Sequence, residues 1–172
     1  MPTLTTTRND HLIAWLTALA ITIHIAESAL PSPLPGIKPG LANVITIAVL
    51  MRYGLRMAVW VALLRVLVGS LLLGTFLSPT FMLSLSGALA STAALALGWA
   101  MSSRLRRAAL GPVGYSVLAA MAHMAGQFWI AYTLFIPHPG LLHLLPMLMT
   151  AAVSFGVVSG IITAAMLEKL PV

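Results

Sequence analysis

Long apolar segments alternate along the chain with short stretches rich in Pro, Gly or Arg. A helix rises about 1.5 Å per residue and needs about 20 mostly apolar residues to cross a bilayer. The turn-forming residues between the segments set the helix boundaries. The predicted helices are Leu12–Leu30, Pro39–Tyr53, Leu55–Gly74, Phe81–Met101, Val113–Ile136 and Leu141–Leu167. The second is about 22 Å long, which is short for a hydrocarbon core of about 30 Å.

Polar side chains interrupt these apolar segments at a few positions. They are His24, Glu27, Asn43, Arg65, His123 and Gln127. An ionisable side chain inside a bilayer costs at least about 2.5–3.5 kcal/mol, so it usually lines a cavity or has a partner. Counting the helical rise puts these residues at similar depths, between the midplane and one surface. The pattern therefore predicts one polar layer inside the bundle.

Composition supports an all-α membrane fold. The chain is 60% hydrophobic and 7% charged, with a mean hydropathy of +1.02, whereas a soluble domain has about 25% charged residues. We therefore predict a single integral membrane domain over residues 1–172, built as a bundle of about six transmembrane helices. The net charge of +6 does not indicate nucleic-acid binding, because the basic residues are dispersed at the ends of apolar runs.

The positions of Lys and Arg predict the orientation. With both termini in the cytoplasm, most of these residues lie on the cytoplasmic side and only Lys38 lies outside, as the positive-inside rule requires. The cytoplasmic residues would be Arg8, Arg52, Arg56, Arg104, Arg106, Arg107 and Lys169. The sequence therefore predicts a multi-pass protein of the bacterial inner membrane.

The residues that catalysis would need are scarce. The chain has no Cys, and its acidic residues are Asp10, Glu27 and Glu168, which form no pair spaced for a Mg²⁺–diphosphate site. No Gly-rich phosphate loop with Lys-Ser/Thr is present. We therefore expect no catalytic residues, no metal site and no cofactor, and any energy must come from partner subunits.

The segment Pro31–Gly40 reads as a loop that dips over an outward-open cavity. Irregular backbone at membrane depth must be buried in protein or line a cavity. Lys38 lies just before a helix N-terminus, which favours anions, so Lys38, Asn43 and Arg65 could share an anion site. Two structural alternatives stay open: Arg65 could simply pair with Glu27, and the fifth-helix polar residues could be hydrogen-bonding contacts between helices.

Small residues recur at every fourth position in three helices. The stripes are Ala14, Ala18, Thr22 and Ala26; Ser86, Ala90, Ala94, Gly98 and Ser102; and Ala152, Gly156, Gly160 and Ala164. Such stripes let helix backbones approach closely, either inside the bundle or against another membrane subunit. The stripe of the first helix is the best candidate for contact with partner subunits.

Several short motifs resemble those of the Gx transporter family. They are Glu27 with the run 34–43 (LPGIKPGLAN), the run 65–74 (RVLVGSLLLG), Phe76, Ser78-Pro79, the run 84–87 (SLSG), and His123 with Gln127. Members are often labelled heptaprenyl diphosphate synthase component I and resemble the substrate-binding S components of energy-coupling-factor transporters. The resemblance implies a six-helix, S-component-like membrane fold. Pro39 and Met124 depart from the family pattern.

The expected function is the binding of a small anionic or amphipathic solute, as the membrane component of an uptake system energised by partner subunits. The ligand-binding residues would be Glu27, Lys38, Asn43, Arg65, His123 and Gln127. The alternative is a non-catalytic membrane subunit of an isoprenoid (polyprenyl diphosphate) synthesis or redox complex. A third alternative is a scaffold in which the polar layer is purely structural.

Overall fold

The structure of the protein is a computed structural model that describes residues 8–29, 41–104 and 110–169. Within these ranges it describes the side chains of residues 10–26, 43–104 and 110–169. The predicted loop Pro31–Gly40 with Lys38, the side chain of Glu27, and Arg106 and Arg107 lie outside the described residues.

The described part of the chain is all-α, as predicted, and contains no strand. Its helices are α1 (Arg8–Ala29), α2 (Leu41–Tyr53), α3 (Leu55–Leu72), α4 (Pro79–Arg104), α5 (Pro112–Ile130), α6 (Pro139–Leu142) and α7 (Leu145–Lys169). The segments Leu55–Leu72, Pro79–Arg104, Pro112–Phe135 and Pro139–Lys169 are long and apolar enough to cross a membrane. The stretches Asp10–Ala26 and Asn43–Tyr53 are shorter apolar helices.

Two details differ from the predicted boundaries. The last predicted helix is divided into the single turn α6 and the long helix α7. The C-terminal end of α5 continues as a π-helical turn over Ala131–Phe135, in which the Ile136 N–H donates to the Ala131 carbonyl oxygen at 2.8 Å.

The short helix α2 occupies the centre of the bundle. It packs against α1, α3, α5 and α7, and its residues 44–50 are all buried. This burial is consistent with its sequence, because residues 44–50 are apolar apart from Thr46, as expected of an enclosed helix. Gly54 adopts a left-handed φ of 87° between α2 and α3, a conformation that glycine adopts without steric cost.

Helix α5 packs tightly between α4 and α7. A Cβ added at Gly126 would lie 2.7 Å from the Ser86 carbonyl oxygen of α4. A Cβ at Gly160 would lie 2.5 Å from the Cα atom of Val113. The small-residue stripes of α4 and α7 therefore serve packing within the bundle. The stripe of α1 differs, because Ala14, Ala18 and Thr22 are all exposed.

The outer surface of the bundle is strongly apolar. Exposed side chains include Trp15 at 77%, Leu97 at 68% and Leu72 at 66% of their accessible area. Large apolar side chains are exposed on every long helix and at the C-terminal end of α2, which makes this surface far larger than the apolar patches of soluble monomers. Several hydroxyl side chains are buried instead, among them Thr46, Ser116 and Thr163. This arrangement is that of an integral membrane bundle.

Basic residues collect at one end of the helices, which we call the basic end. It comprises the start of α1 at Arg8, the α2–α3 junction with Arg52 and Arg56, the end of α4 at Arg104 and the end of α7 at Lys169. The turn between α3 and α4 and the C-terminal end of α5 lie at the opposite end. This distribution matches the cation pattern from which the orientation was predicted.

Candidate ligand cavity

A cavity of about 760 Å³ lies inside the bundle. Its volume falls within the range of about 300–1,000 Å³ that is typical of small-molecule sites. The short helix α2 and the five long helices of the described residues all contribute to its lining. The polar residues at its deep end and walls are His24, Asn43, Arg65, His123, Gln127 and Ser159.

Four of these residues lie at one level, which we call the cavity floor. Asn43, Arg65, His123 and Ser159 are each ten or eleven residues from the helix end that lies at the basic end. At 1.5 Å per residue, this places them about 15–17 Å above that end, near the middle of a bilayer. The helix lengths alone therefore bring side chains that are distant in sequence to one depth.

The cavity becomes apolar toward its mouth at the opposite end. Its walls carry Val66, Phe81, Met124 and Phe155. Leu73 and Pro79 contribute from the α3–α4 turn, and Phe135 and Ile136 from the end of α5. Thr75 and Thr80 add hydroxyl groups at the mouth. The charged, titratable and amide side chains therefore lie toward the deep end, whereas the other polar lining groups, among them Ser70 and Ser84, are neutral hydroxyls.

Arg65 provides a permanent positive charge at the floor. Its side chain is only 9% exposed. Arg65 and His24 are both close enough to the His123 ring to interact with it electrostatically. No Asp or Glu occurs among the described residues that line the cavity. A guanidinium presents a planar fork of donors that matches carboxylate and phosphate oxygens.

His123 and Gln127 rest directly on the backbone of α4. A Cβ added at Gly87 would lie 2.7 Å from His123 Cε1, 2.8 Å from His123 Nε2 and 2.9 Å from Gln127 Cγ. Gly87 thus leaves the space that these two side chains of α5 occupy. Beside this contact, the Ser86 hydroxyl donates to the Gly126 carbonyl oxygen at 3.2 Å and to the Leu83 carbonyl oxygen at 2.9 Å. The polar pair is therefore held on a closely packed helix interface.

The N-terminus of α2 begins at the cavity floor. Asn43, the third residue of α2, lines the cavity. The next residue, Val44, accepts a hydrogen bond from the Thr163 hydroxyl of α7 at 3.5 Å, and Thr163 lies one turn below Ser159. The free N–H groups and the positive dipole end of a helix favour an anion at this position. Because α2 is short, its N-terminus lies within the bundle rather than at the membrane surface.

The structure brings Asn43, Arg65, His123 and Gln127, four of the predicted site residues, into one cavity together with His24. Glu27 and Lys38 cannot be placed, because their side chains lie outside the described residues. His138 and His143 do not line the cavity; the His138 Nδ1 atom instead accepts a hydrogen bond from the Gly140 N–H at 3.0 Å. The ligand-binding role of the four residues stays a prediction.

Sequence reasoning missed several lining residues. Ser159 is one position from Gly160 in the small-residue stripe of α7, and Ser84 opens the run 84–87 that was noted only as a motif. Phe81 and Phe155 carry no signal that separates a cavity wall from a lipid-facing surface, because both are apolar in a membrane protein. The sequence signal that could have indicated Ser159 was the presence of a hydroxyl side chain within an apolar helix.

The sequence model of the family described as heptaprenyl diphosphate synthase component I matches residues 16–166. This range includes every described residue that lines the cavity. Neither curated proteins nor solved structures give a match to the chain.

Proposed function

The chain belongs to the heptaprenyl diphosphate synthase component I family, and we propose that it is the membrane substrate-binding component of a small-solute uptake system. Its solute is anionic or amphipathic and occupies the cavity above Arg65. The observation that carries the proposal is a cavity of about 760 Å³ with a buried guanidinium at its floor. A purely structural bundle has no need for such a space, because protein interiors are normally close-packed.

Energy for uptake comes from partner subunits. The sequence contains no phosphate-binding loop of the kind that hydrolyses ATP. The first-helix stripe of Ala14, Ala18 and Thr22 supports contact with such a membrane partner. Its residues are exposed in the bundle, whereas the glycines of the α4 and α7 stripes are in contact with α5. Close helix approach at small residues stabilises contacts between membrane helices.

The acidic residues of the chain support a non-catalytic role. Diphosphate chemistry assisted by Mg²⁺ needs several oxygen ligands, usually carboxylates. The whole sequence has three acidic residues, of which Asp10 and Glu168 lie near the helix ends at the basic end. The remaining acidic residue is Glu27, and a single carboxylate is too few for such a site.

A second candidate function comes from the family description, which names a synthase component. The chain would then be a non-catalytic membrane subunit of a polyprenyl diphosphate synthesis complex and would hold an amphipathic intermediate. Both candidates require a ligand in the same cavity. They differ in the partner, which is an energy-coupling subunit with ATPases for transport and a soluble synthase for the alternative.

Identification of the bound molecule tests the shared premise. The protein is purified in lipid nanodiscs, and its small-molecule content is measured by mass spectrometry for the wild type, Arg65→Gln and Arg56→Gln. Arg56 is an exposed arginine on the same helix and outside the cavity, so Arg56→Gln is the matched control. We expect a molecule that is retained by the wild type and the control and is lost from Arg65→Gln. The same content in all three samples would contradict the proposal.

A further inference from the structure

We propose that the ligand of this cavity is a single amphipathic anion that binds with its head group at the floor and its apolar body toward the mouth. This inference rests on the proposed binding function and makes it more specific. It assigns a head group of phosphate or carboxylate chemistry and an orientation perpendicular to the membrane. The polarity of the cavity along its axis is the observation that leads to it.

The head group is recognised at the floor. Arg65 provides a charged donor fork, and the N-terminal turn of α2 begins beside it with Asn43. His123 lies close enough to both Arg65 and His24 to interact with them electrostatically. Charge-assisted hydrogen bonds from a guanidinium to carboxylate or phosphate oxygens are short and strong. These groups converge on an anion at mid-membrane depth, where water is scarce.

The apolar body is accommodated by the walls. Arg65 and Leu73 are eight residues apart on α3 and its C-terminal end, which corresponds to about 12 Å along the helix. Over this distance the cavity is lined mainly by apolar side chains, including Val66, Phe81 and Phe135. Burial of an alkyl or isoprenoid chain against this surface is favourable in proportion to its area.

The two alternative ligand types fit the cavity less well. A small, wholly polar anion would satisfy the floor but leave the apolar walls facing water. A wholly apolar ligand would cover the walls but would form no charge-assisted hydrogen bond with the floor. One molecule that carries both chemistries satisfies both parts of the cavity. Its length is limited by the distance from the floor to the mouth.

Three probes distinguish the contribution of the head group to binding from that of the apolar body. Octyl phosphate carries both, inorganic phosphate carries only the head, and 1-octanol carries only the apolar body with a neutral end. Binding is measured by calorimetry on the full chain in nanodiscs, with empty nanodiscs as the correction for partitioning into lipid. We expect octyl phosphate to bind at least about tenfold more tightly than either other probe, because only it gains both contributions.

Two variants test the orientation independently. Arg65→Lys keeps a charge at the floor but loses the fork, and it should weaken octyl phosphate and inorganic phosphate alike, by about tenfold. Ala131→Phe fills space near the mouth, where Ala131 lines the cavity. It should weaken octyl phosphate by about tenfold through lost burial and leave inorganic phosphate unchanged. Arg56→Gln should leave all three probes unchanged.

The outcomes separate this inference from the proposed function. If inorganic phosphate binds as tightly as octyl phosphate, and Arg65→Lys weakens both, the head-and-body inference is overturned and the anion-binding function stands. If Ala131→Phe weakens inorganic phosphate as much as octyl phosphate, the proposed orientation is overturned. If none of the three probes binds to the wild type above the empty-nanodisc level, both the inference and the proposed function are overturned.

Discussion

Gly87 is the residue on which the two polar side chains of α5 rest. Gly87→Ala would place a methyl group within 3 Å of His123 and Gln127 side-chain atoms. Because these are side-chain atoms facing a cavity, they can move into it, and the fold should survive. We expect ligand binding to fall by about tenfold or more, since a displacement of about 1 Å in a binding site is costly. Binding of the retained ligand and the melting temperature of the variant check this expectation.

Gly160→Ala serves as the matched substitution outside the site. Its new methyl group would meet the backbone Cα atom of Val113 at 2.5 Å, which cannot move away cheaply. Overpacking of this kind costs about 1–3 kcal/mol of stability. Gly160→Ala should therefore lower the melting temperature more than Gly87→Ala does. The reverse order would contradict the assignment of Gly87 to the site.

Two buried threonines differ in whether their hydroxyl group forms a hydrogen bond, so they test the energetic cost of burying a hydroxyl. Thr46 and Thr163 are both buried almost completely. The Thr163 hydroxyl donates to the Ser159 carbonyl oxygen at 2.8 Å, whereas the Thr46 hydroxyl has no hydrogen-bond partner among the described residues. Thr163→Val should destabilise the protein by about 0.5–1.5 kcal/mol, and Thr46→Val should be neutral or stabilising. Thermal unfolding in one detergent measures both, and equal losses would contradict this difference.

Most helices could be predicted from the sequence because their ends carry explicit signals. Pro79 begins α4, Gly54 separates α2 from α3, and Gly111-Pro112 begins α5. The division between α6 and α7 was missed although the sequence carries a signal for it, because Pro146 is the second residue of α7 and proline favours the first turn of a helix. The π-helical turn at Ala131–Phe135, whose two end residues line the cavity, has no sequence signature of its own.

The candidate site could be predicted only as far as its polar residues. Arg65 and His123 were detectable because a charged or titratable side chain in an apolar helix needs a structural reason. Phe155 and Met124 were not detectable as cavity walls, because the lipid-facing and cavity-facing sides of such a helix are both apolar. In a helix of a soluble protein, a polar solvent-facing side would have distinguished the outer side of the helix from its inner side. The depth of the α2 N-terminus was detectable, because the short length of this helix follows from its sequence.

The exposed stripe of α1 makes a prediction at the level of one helix. Ala18→Leu should disrupt close contact with a partner membrane subunit, because the larger side chain keeps the backbones apart. Ala93→Leu is the control, since Ala93 is exposed on α4 and belongs to no stripe. In a mild detergent extract of native membranes, the Ala18→Leu variant should migrate as a smaller complex than the wild type in a native gel.

The control should migrate as the wild type does. If the wild type, Ala18→Leu and Ala93→Leu all migrate at the same size, α1 is not the contact surface. Purified Ala18→Leu should keep the melting temperature of the wild type, because Ala18 is exposed in the bundle. A large loss of stability would assign the stripe to internal packing instead.

The whole molecule presents two chemically different ends. The basic end collects Arg52, Arg56 and Arg104 at helix ends, and the opposite end contains the mouth of the cavity. Cations next to short membrane loops are retained on the cytoplasmic side. The mouth should therefore open to the outside, from which an uptake component receives its solute. The basic residues and the proposed uptake role therefore both place the mouth of the cavity on the outer side of the membrane, although they rest on different residues.

Cysteine labelling tests this orientation directly, because the native chain has no Cys. Leu77→Cys lies in the exposed turn near the mouth, and Ser103→Cys is exposed near the basic end. In intact cells, a membrane-impermeant maleimide should label Leu77→Cys and leave Ser103→Cys unlabelled; after membrane disruption it should label both. Labelling of Ser103→Cys alone in intact cells would reverse the topology. The cavity would then open to the cytoplasm, and a role in solute uptake from outside would lose its structural basis.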